Sequence, residues 1–265
     1  MAKKITIFHL YPDAMNLYGD LGNIIAITKR CEWRGIETDV VDVHVGDKVS
    51  FATADLIYMG GGQDSGQKIV TNDLMEKGEA IKEAINEGAA ALLICGGFQL
   101  FGEYFQTASG DKIPGIGVFD AYTIAGNKRL IGNVVVDIAH SLTEWGNQFN
   151  IPPASSGHTT LVGFENHSGQ TLLRGDTKPL GYVIRGFGNK GDGSYEGAVH
   201  KNAFGSYLHG SLLPKNPWFT DHLIQCALYR RYGNVEPLTT LDDSIEIAAH
   251  DAAIKRAETS KTVSI

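Results

Sequence analysis

Ala90-Ala91-Leu92-Leu93-Ile94-Cys95-Gly96-Gly97-Phe98-Gln99-Leu100 reads as an apolar strand that stops on a cysteine, with two glycines leading into a helix. A strand feeding a tight turn at a helix N-terminus lifts the thiol out of the sheet. The exposed N–H groups of that helix favour the thiolate over the thiol. Cys95 is therefore the candidate nucleophile, and the rest of the chain must supply a base and donors for an oxyanion.

Working outward from this stretch, the first half of the chain alternates strand and helix. Ile5–Leu10 is a β-rich run, Asn23–Trp33 has helical apolar spacing closed by Gly35, and Thr38–Val45 and Asp55–Met59 read as further strands. The last of these ends in Gly60-Gly61-Gly62, and Asn72 is placed to cap a charged helix running to Gly88. Such a βαβα order implies a parallel sheet covered by helices on both faces, with ligands gathering at the carboxyl ends of its strands. The triple glycine and Cys95 both lie at such ends.

Beyond Asp111 the pattern changes to short β segments between turn residues: Gly115–Tyr122, Leu130–Ile138, Thr160–Phe164, Tyr182–Phe187 and Ala203–Leu208. They read as strands extending the sheet, partly antiparallel, in an α/β fold of one domain over residues 1–240. Pro217–Tyr232 reads as a helix stopped by Gly233. Residues 241–265 form a C-terminal helical extension and tail, in which Asp242-Asp243-Ser244 caps a helix to Ala257 whose Ile245, Ile247, Ala248 and Ala252 pack on the domain or on a partner. Glu258–Ile265 reads as loose.

The 265 residues carry a net charge of −7 with no block of like charges, which argues against a nucleic-acid binder. No apolar run reaches the eighteen or so residues that span a bilayer. The opening Met-Ala-Lys-Lys-Ile-Thr-Ile-Phe reads as a first strand rather than a leader. Three cysteines without metal-ligand spacing point to reduced thiols in a cytoplasmic protein, and no metal site is expected. Cys31 and Cys226 fall in helices, as small buried side chains.

Two parts of an oxyanion site are recognisable. The Gly96 N–H directly follows the nucleophile, and the loop containing Gly61 and Gly62 can bring a second backbone N–H close because no side chain intervenes. The loop lacks the lysine and hydroxyl of a P-loop. Of nine histidines, His209 stands at the end of the run Ala-Phe-Gly-Ser-Tyr-Leu-His, again at a strand end, and is the candidate base. His200 reads as the solvent-facing end of a hairpin, His158 and His167 as residues of polar loops with either a surface role or a contact to substrate or partner, and His9 lies near the end of the first strand. His44, His140, His222 and His250 have no supporting context.

Taken together, Ile94-Cys95-Gly96-Gly97-Phe98-Gln99, Gly60-Gly61-Gly62-Gln63-Asp64 and Tyr207-Leu208-His209-Gly210 resemble the class I glutamine amidotransferases of the cobyric-acid-synthase-like branch. Within that branch, the opening segment Leu10–Asn23 and Phe164-Glu165-Asn166-His167-Ser168-Gly169 are similar to the glutaminase subunits of lipid II isoglutaminyl synthases. The resemblance extends to about Tyr232 and implies a three-layer amidotransferase-like fold with a mostly parallel central sheet and an antiparallel extension.

The resemblance also implies roles. Cys95 would attack the side-chain amide of glutamine, His209 would pass a proton to the leaving ammonia, Gln99 would lie near the substrate, and Arg129 would grip the glutamine carboxylate. A guanidinium suits that last task because it offers two parallel donors. Many class I enzymes carry a glutamate two residues after the histidine; here that residue is Ser211. A Cys–His dyad then needs another orienting group: a backbone carbonyl, or an acid such as Asp20, Asp64 or Glu165.

No ATP-binding glycine-lysine loop is present, so no cofactor is expected on this chain. The resemblance places ATP and Mg on a Mur-ligase-like partner that amidates the α-carboxylate of D-glutamate in lipid II. The rival enzymes are corrinoid amidases, which usually carry the ATP-using domain on the same chain. A non-catalytic binding module is disfavoured by the intact cysteine, histidine and glycine loop.

Overall fold

Every residue of Ala90–Ile94 is fully buried. Ala90, Leu92 and Ile94 join one apolar cluster and Ala91 and Leu93 another, so the strand separates two cores. This is the expected environment of an all-apolar strand inside a parallel sheet. A computed structural model describes residues 3–17, 19–138, 159–233, 236–260 and 263–264. His140 and His158 lie outside the described residues.

In chain order the elements are β1 (Lys4–Leu10), α1 (Leu21–Glu32), β2 (Glu37–Val43), β3 (Leu56–Met59), α2 (Asp64–Asn86), β4 (Ala90–Ile94), α3 (Gly96–Phe101), β5 (Tyr104–Gln106), β6 (Lys112–Pro114) and β7 (Ala121–Asp137). They continue with β8 (Thr160–Leu173), β9 (Gly181–Arg185), β10 (Tyr195–Glu196), β11 (Ala198–His200), β12 (Ala203–Ser206), α4 (Pro217–Tyr232), α5 (Ser244–Thr259) and β13 (Val263–Ser264).

The central sheet has the order β11-β12-β4-β3-β1-β2, parallel throughout except for the antiparallel edge strand β11. On one side α1 and α4 contribute Ile24, Ile27, Phe219 and Leu223 to the first core. On the other, α2 and α3 contribute Val70, Leu74, Phe98 and Phe101 to the second. This is a three-layer α/β fold, and it carries the carboxyl ends of β1, β3, β4 and β12 to one edge.

Only Ala203–Ser206, among the later β segments, extends the central sheet in parallel. The strands β5 to β10 and β13 make a second sheet built on the long antiparallel pair β7 and β8. Alternation along a strand specifies its faces but not its neighbours, so this division was not visible locally. Gly115–Asp120 is not strand, and β7 begins at Ala121.

Asn72 does not cap a helix; α2 begins at Asp64, directly after the glycines, and Asn72 is exposed in its interior. In α5, Ile245, Ala248 and Ala252 are exposed rather than packed on the domain, whereas His250 and Ala257 are buried and Ala257 packs with Val135 and Val162. Lys215 and Thr160 meet His250 through hydrogen bonds of 2.9 and 3.0 Å, which sets the helix's rotation. The tail is not wholly loose, since Val263 and Ser264 pair with Ile131 and Leu130.

Candidate active site

Cys95 sits between β4 and α3 at φ +50° and ψ −101°, a conformation that L residues rarely adopt. Its strain is held by neighbours on both sides. The Cys95 N–H donates to Ser206 O at 2.7 Å, and the Gln99 N–H donates to Cys95 O at 2.9 Å. The following glycines are needed for close approach. A Cβ on Gly96 would lie 2.9 Å from Gly62 N, and one on Gly97 would lie 2.6 Å from Met59 O. The turn thus aims the sulfur out of the sheet, where strain at a functional site is commonly stored.

His209 follows β12, the strand next to β4, and its backbone is fixed by two hydrogen bonds with Phe164 of β8, at 2.8 and 3.2 Å. Its Nδ1 lies 3.2 Å from Asp20 Oδ1, with both side chains fully buried, and its ring faces the Cys95 side chain. Burial alone would favour neutral imidazole. The Cys95 sulfur and the Asp20 carboxylate outweigh it and push His209 up to about 10. The arrangement therefore favours a protonated imidazole at neutral pH.

Of the three acids that the sequence left open, Asp20 is the one at the histidine. Asp64 is exposed in the first turn of α2. Glu165 is buried but accepts the Phe187 and Gly188 N–H groups at 2.7 and 3.0 Å. Asp20 is itself held in place from behind, where Tyr58 donates its hydroxyl to Asp20 O at 2.7 Å.

The glycine loop divides its work. The Gly61 N–H donates to Asp20 Oδ2 at 2.8 Å, so it is committed to the carboxylate and corrects the expectation of an oxyanion donor there. Gly61 instead makes room: a Cβ on it would lie 2.7 Å from His209 Cε1 and 3.5 Å from Cys95 Cβ. Among the described residues, no protein acceptor takes the Gly62 or Gly96 N–H. These two lie side by side at the nucleophile and can face a developing oxyanion.

Gln99 is buried one turn into α3, with Oε1 accepting from Gln67 Nε2 at 2.8 Å and Nε2 donating to the Tyr207 hydroxyl at 3.2 Å. It braces α2 and the His209 segment against α3. Tyr207 in turn bonds Thr171 at 2.6 Å and stacks on His167, with centroids 3.8 Å apart. His167 is not in a polar loop, as its sequence context suggested, but buried in β8. Gln67 and Tyr207 carried no separate sequence signal, although Tyr207 lies inside a quoted motif.

Arg129 is exposed on β7 and donates from Nε to Asn166 Oδ1 at 2.6 Å. Asn166 precedes the His167 that stacks on Tyr207, which links the arginine to the network around Gln99. His200 is exposed at the end of β11, as expected. His9 is buried beside Asp42 at 3.1 Å, and burial lowers its pKa. His222 lies 3.6 Å from Cys226 inside α4, where burial pushes it down to about 4.

The chain resembles known proteins along nearly its whole length. It is 37% identical over 258 residues to the lipid II isoglutaminyl synthase (glutamine-hydrolyzing) subunit GatD of Staphylococcus aureus (strain N315), covering 97% of this chain and 98% of that one. The GatD subunit of Streptococcus pneumoniae (strain ATCC BAA-255 / R6) is 38% identical over 257 residues, covering 95% and 92%. A probable cobyric acid synthase of Methanothermobacter thermautotrophicus is 34% identical over 173 residues, which is 62% of this chain but 31% of the relative. A solved glutamine amidotransferase from Thermotoga maritima has the same fold, with a TM-score of 0.53, 18% identity and coverage of 97% and 99%. Residues 6–217, a span that holds both the Cys95 turn and His209, match the CobB/CobQ-like glutamine amidotransferase domain, and the chain belongs to that family.

Proposed function

We propose that this chain is the glutaminase subunit of a lipid II isoglutaminyl synthase. The observation that carries the chemistry is the line from half-buried Cys95 through the buried His209 to the buried Asp20. The Cys95 thiolate attacks the side-chain carbonyl carbon of glutamine, forming a C–S bond and an oxyanion facing the Gly62 and Gly96 N–H groups. Collapse breaks the C–N bond, and the His209 proton leaves with ammonia. Water, deprotonated by His209, then cleaves the thioester, releasing glutamate and restoring the thiolate.

The near-complete coverage of two GatD subunits, set against less than a third of a cobyric acid synthase, favours a separate glutaminase over a fused corrinoid amidase. On this reading a Mur-ligase-like partner uses ATP and Mg to activate the α-carboxylate of D-glutamate in lipid II and receives the ammonia. Arg129 holds the glutamine carboxylate. Among the described residues no helix is long and apolar enough to cross a membrane. The complex would work in the cytoplasm and meet lipid II at the inner membrane face.

The test is Cys95→Ala in the purified two-subunit complex. Glutamine-dependent amidation of lipid II should vanish while amidation from added ammonia persists. Loss of both, or survival of the glutamine-dependent reaction, overturns the assignment.

A further inference from the structure

The loop beyond His209 is bound to the loop before α1 by a contact that the catalytic line does not include. Ser211 Oγ donates to Gly19 O at 2.6 Å, and Gly19 is the residue next to Asp20. The approach is tight: a Cβ on Gly22 would fall 2.0 Å from Ser211 Oγ. Ser211 and Gly19 both have positive φ, +45° and +78°, so the chain is bent on each side to bring them together. A non-glycine residue held there marks a conformation over-determined by its surroundings. From the other side Lys215 Nζ donates to Gly210 O at 2.6 Å and reaches Ser211 O at 3.3 Å.

We propose that Ser211 is a positioning residue whose hydroxyl, by holding Gly19, registers the Asp20 carboxylate against the His209 imidazole. The inference rests on the glutaminase reading above and adds to it how the orienting acid is held. Asp20 and His209 come from opposite ends of the chain, and their side-chain contact of 3.2 Å needs the two loops to be aligned. Ser211 is covalently two residues from His209 and Gly19 is one from Asp20, so the Ser211–Gly19 bond closes the shortest ring through both side chains. The acid facing His209 comes from the other loop, and Ser211 ties that loop down.

Among the described residues, the titratable groups facing His209 include Cys95 and Asp20. Tyr58 bonds the backbone behind Asp20, Lys215 bonds carbonyls of the next turn, and Glu165 is bonded to Phe187 and Gly188. Slackening the Asp20 contact weakens the hold on the imidazolium proton. The histidine then titrates at lower pH, and the alkaline limb of the glutaminase profile moves down with it.

The experiment compares the full-length wild type with Ser211→Ala, Ser211→Gly and Asp20→Asn in the two-subunit complex. The histidine titration is followed by NMR, and kcat and KM for glutamine are measured across pH. Both Ser211 variants should lower the His209 titration by part of the Asp20→Asn shift and reduce kcat about five-fold, the worth of one hydrogen bond, with KM held within about two-fold. Ser211→Gly also relieves the positive φ, so a variant that regains wild-type kcat and titration would show that only backbone strain mattered and overturn the proposal. A wild-type titration in both variants overturns it equally. If the wild type releases no ammonia from glutamine, the function falls while the titration still tests the latch.

Discussion

Replacing Asp20 by asparagine keeps the side chain's shape and removes its charge. In the folded protein one carboxylate oxygen faces His209 Nδ1 at 3.2 Å and the other accepts the Gly61 N–H at 2.8 Å. Both facing groups are donors, so the amide can satisfy one and must turn its own NH2 toward the other. Breaking a buried ion pair from one side costs about 3–5 kcal/mol. The Cys95 sulfur still attracts the imidazolium, so the lower figure applies, which corresponds to roughly a hundred-fold loss in kcat.

The pH dependence follows from the direction of the shift. His209 is raised from 6.5 to about 10 in the fold, so its contribution to stability is complete below pH 6.5 and is lost as pH rises through about 10. The wild type's advantage in melting temperature over Asp20→Asn should therefore be largest near pH 6 and shrink toward pH 10. Ammonia release at saturating glutamine gives kcat, and thermal melts across the same pH range give the stability difference. A variant within three-fold of wild-type kcat, with a pH-independent melting difference, would refute the role assigned to Asp20.

Arg129→Ala should raise KM for glutamine roughly ten-fold through loss of a charge-assisted bond while leaving kcat nearly intact; an unchanged KM would leave Arg129 as a surface partner of Asn166. Gly61→Ala should lower kcat at least about ten-fold, because the new methyl would lie 2.7 Å from His209 Cε1, and thiol alkylation kinetics should show a less reactive Cys95. Wild-type turnover in Gly61→Ala would mean that the histidine can move without consequence.

The elements before Cys95 were largely legible because their signals are local. The run Ala90–Ile94 has no polar residue to spare for a solvent face, and Gly96 and Gly97 are the residues that a strand-to-helix turn with close backbone contacts requires. The β segments after Asp111 were visible as segments, yet their partners were not. Whether a strand joins β4 or β7 depends on pairing between residues far apart in the chain. The face that α5 turns to the domain was not legible for a similar reason: buried His250, bonded to Lys215 and Thr160, faces inward while the apolar Ile245 is exposed.

At the site, the sequence by itself singled out Cys95, His209 and the glycine loop, since each sits at a strand end and each has a residue type suited to one chemical task. It could not choose among Asp20, Asp64 and Glu165, because their differences are differences of surroundings: one is exposed, one is bonded to Phe187 and Gly188, and one faces the imidazole. Only the tertiary structure decided that, and it also moved Gly61 from donor to an oxyanion to donor to Asp20. Residue type limits what a side chain can do; the direction of its hydrogen bonds, set by parts of the chain nearly two hundred residues apart, determines what it does.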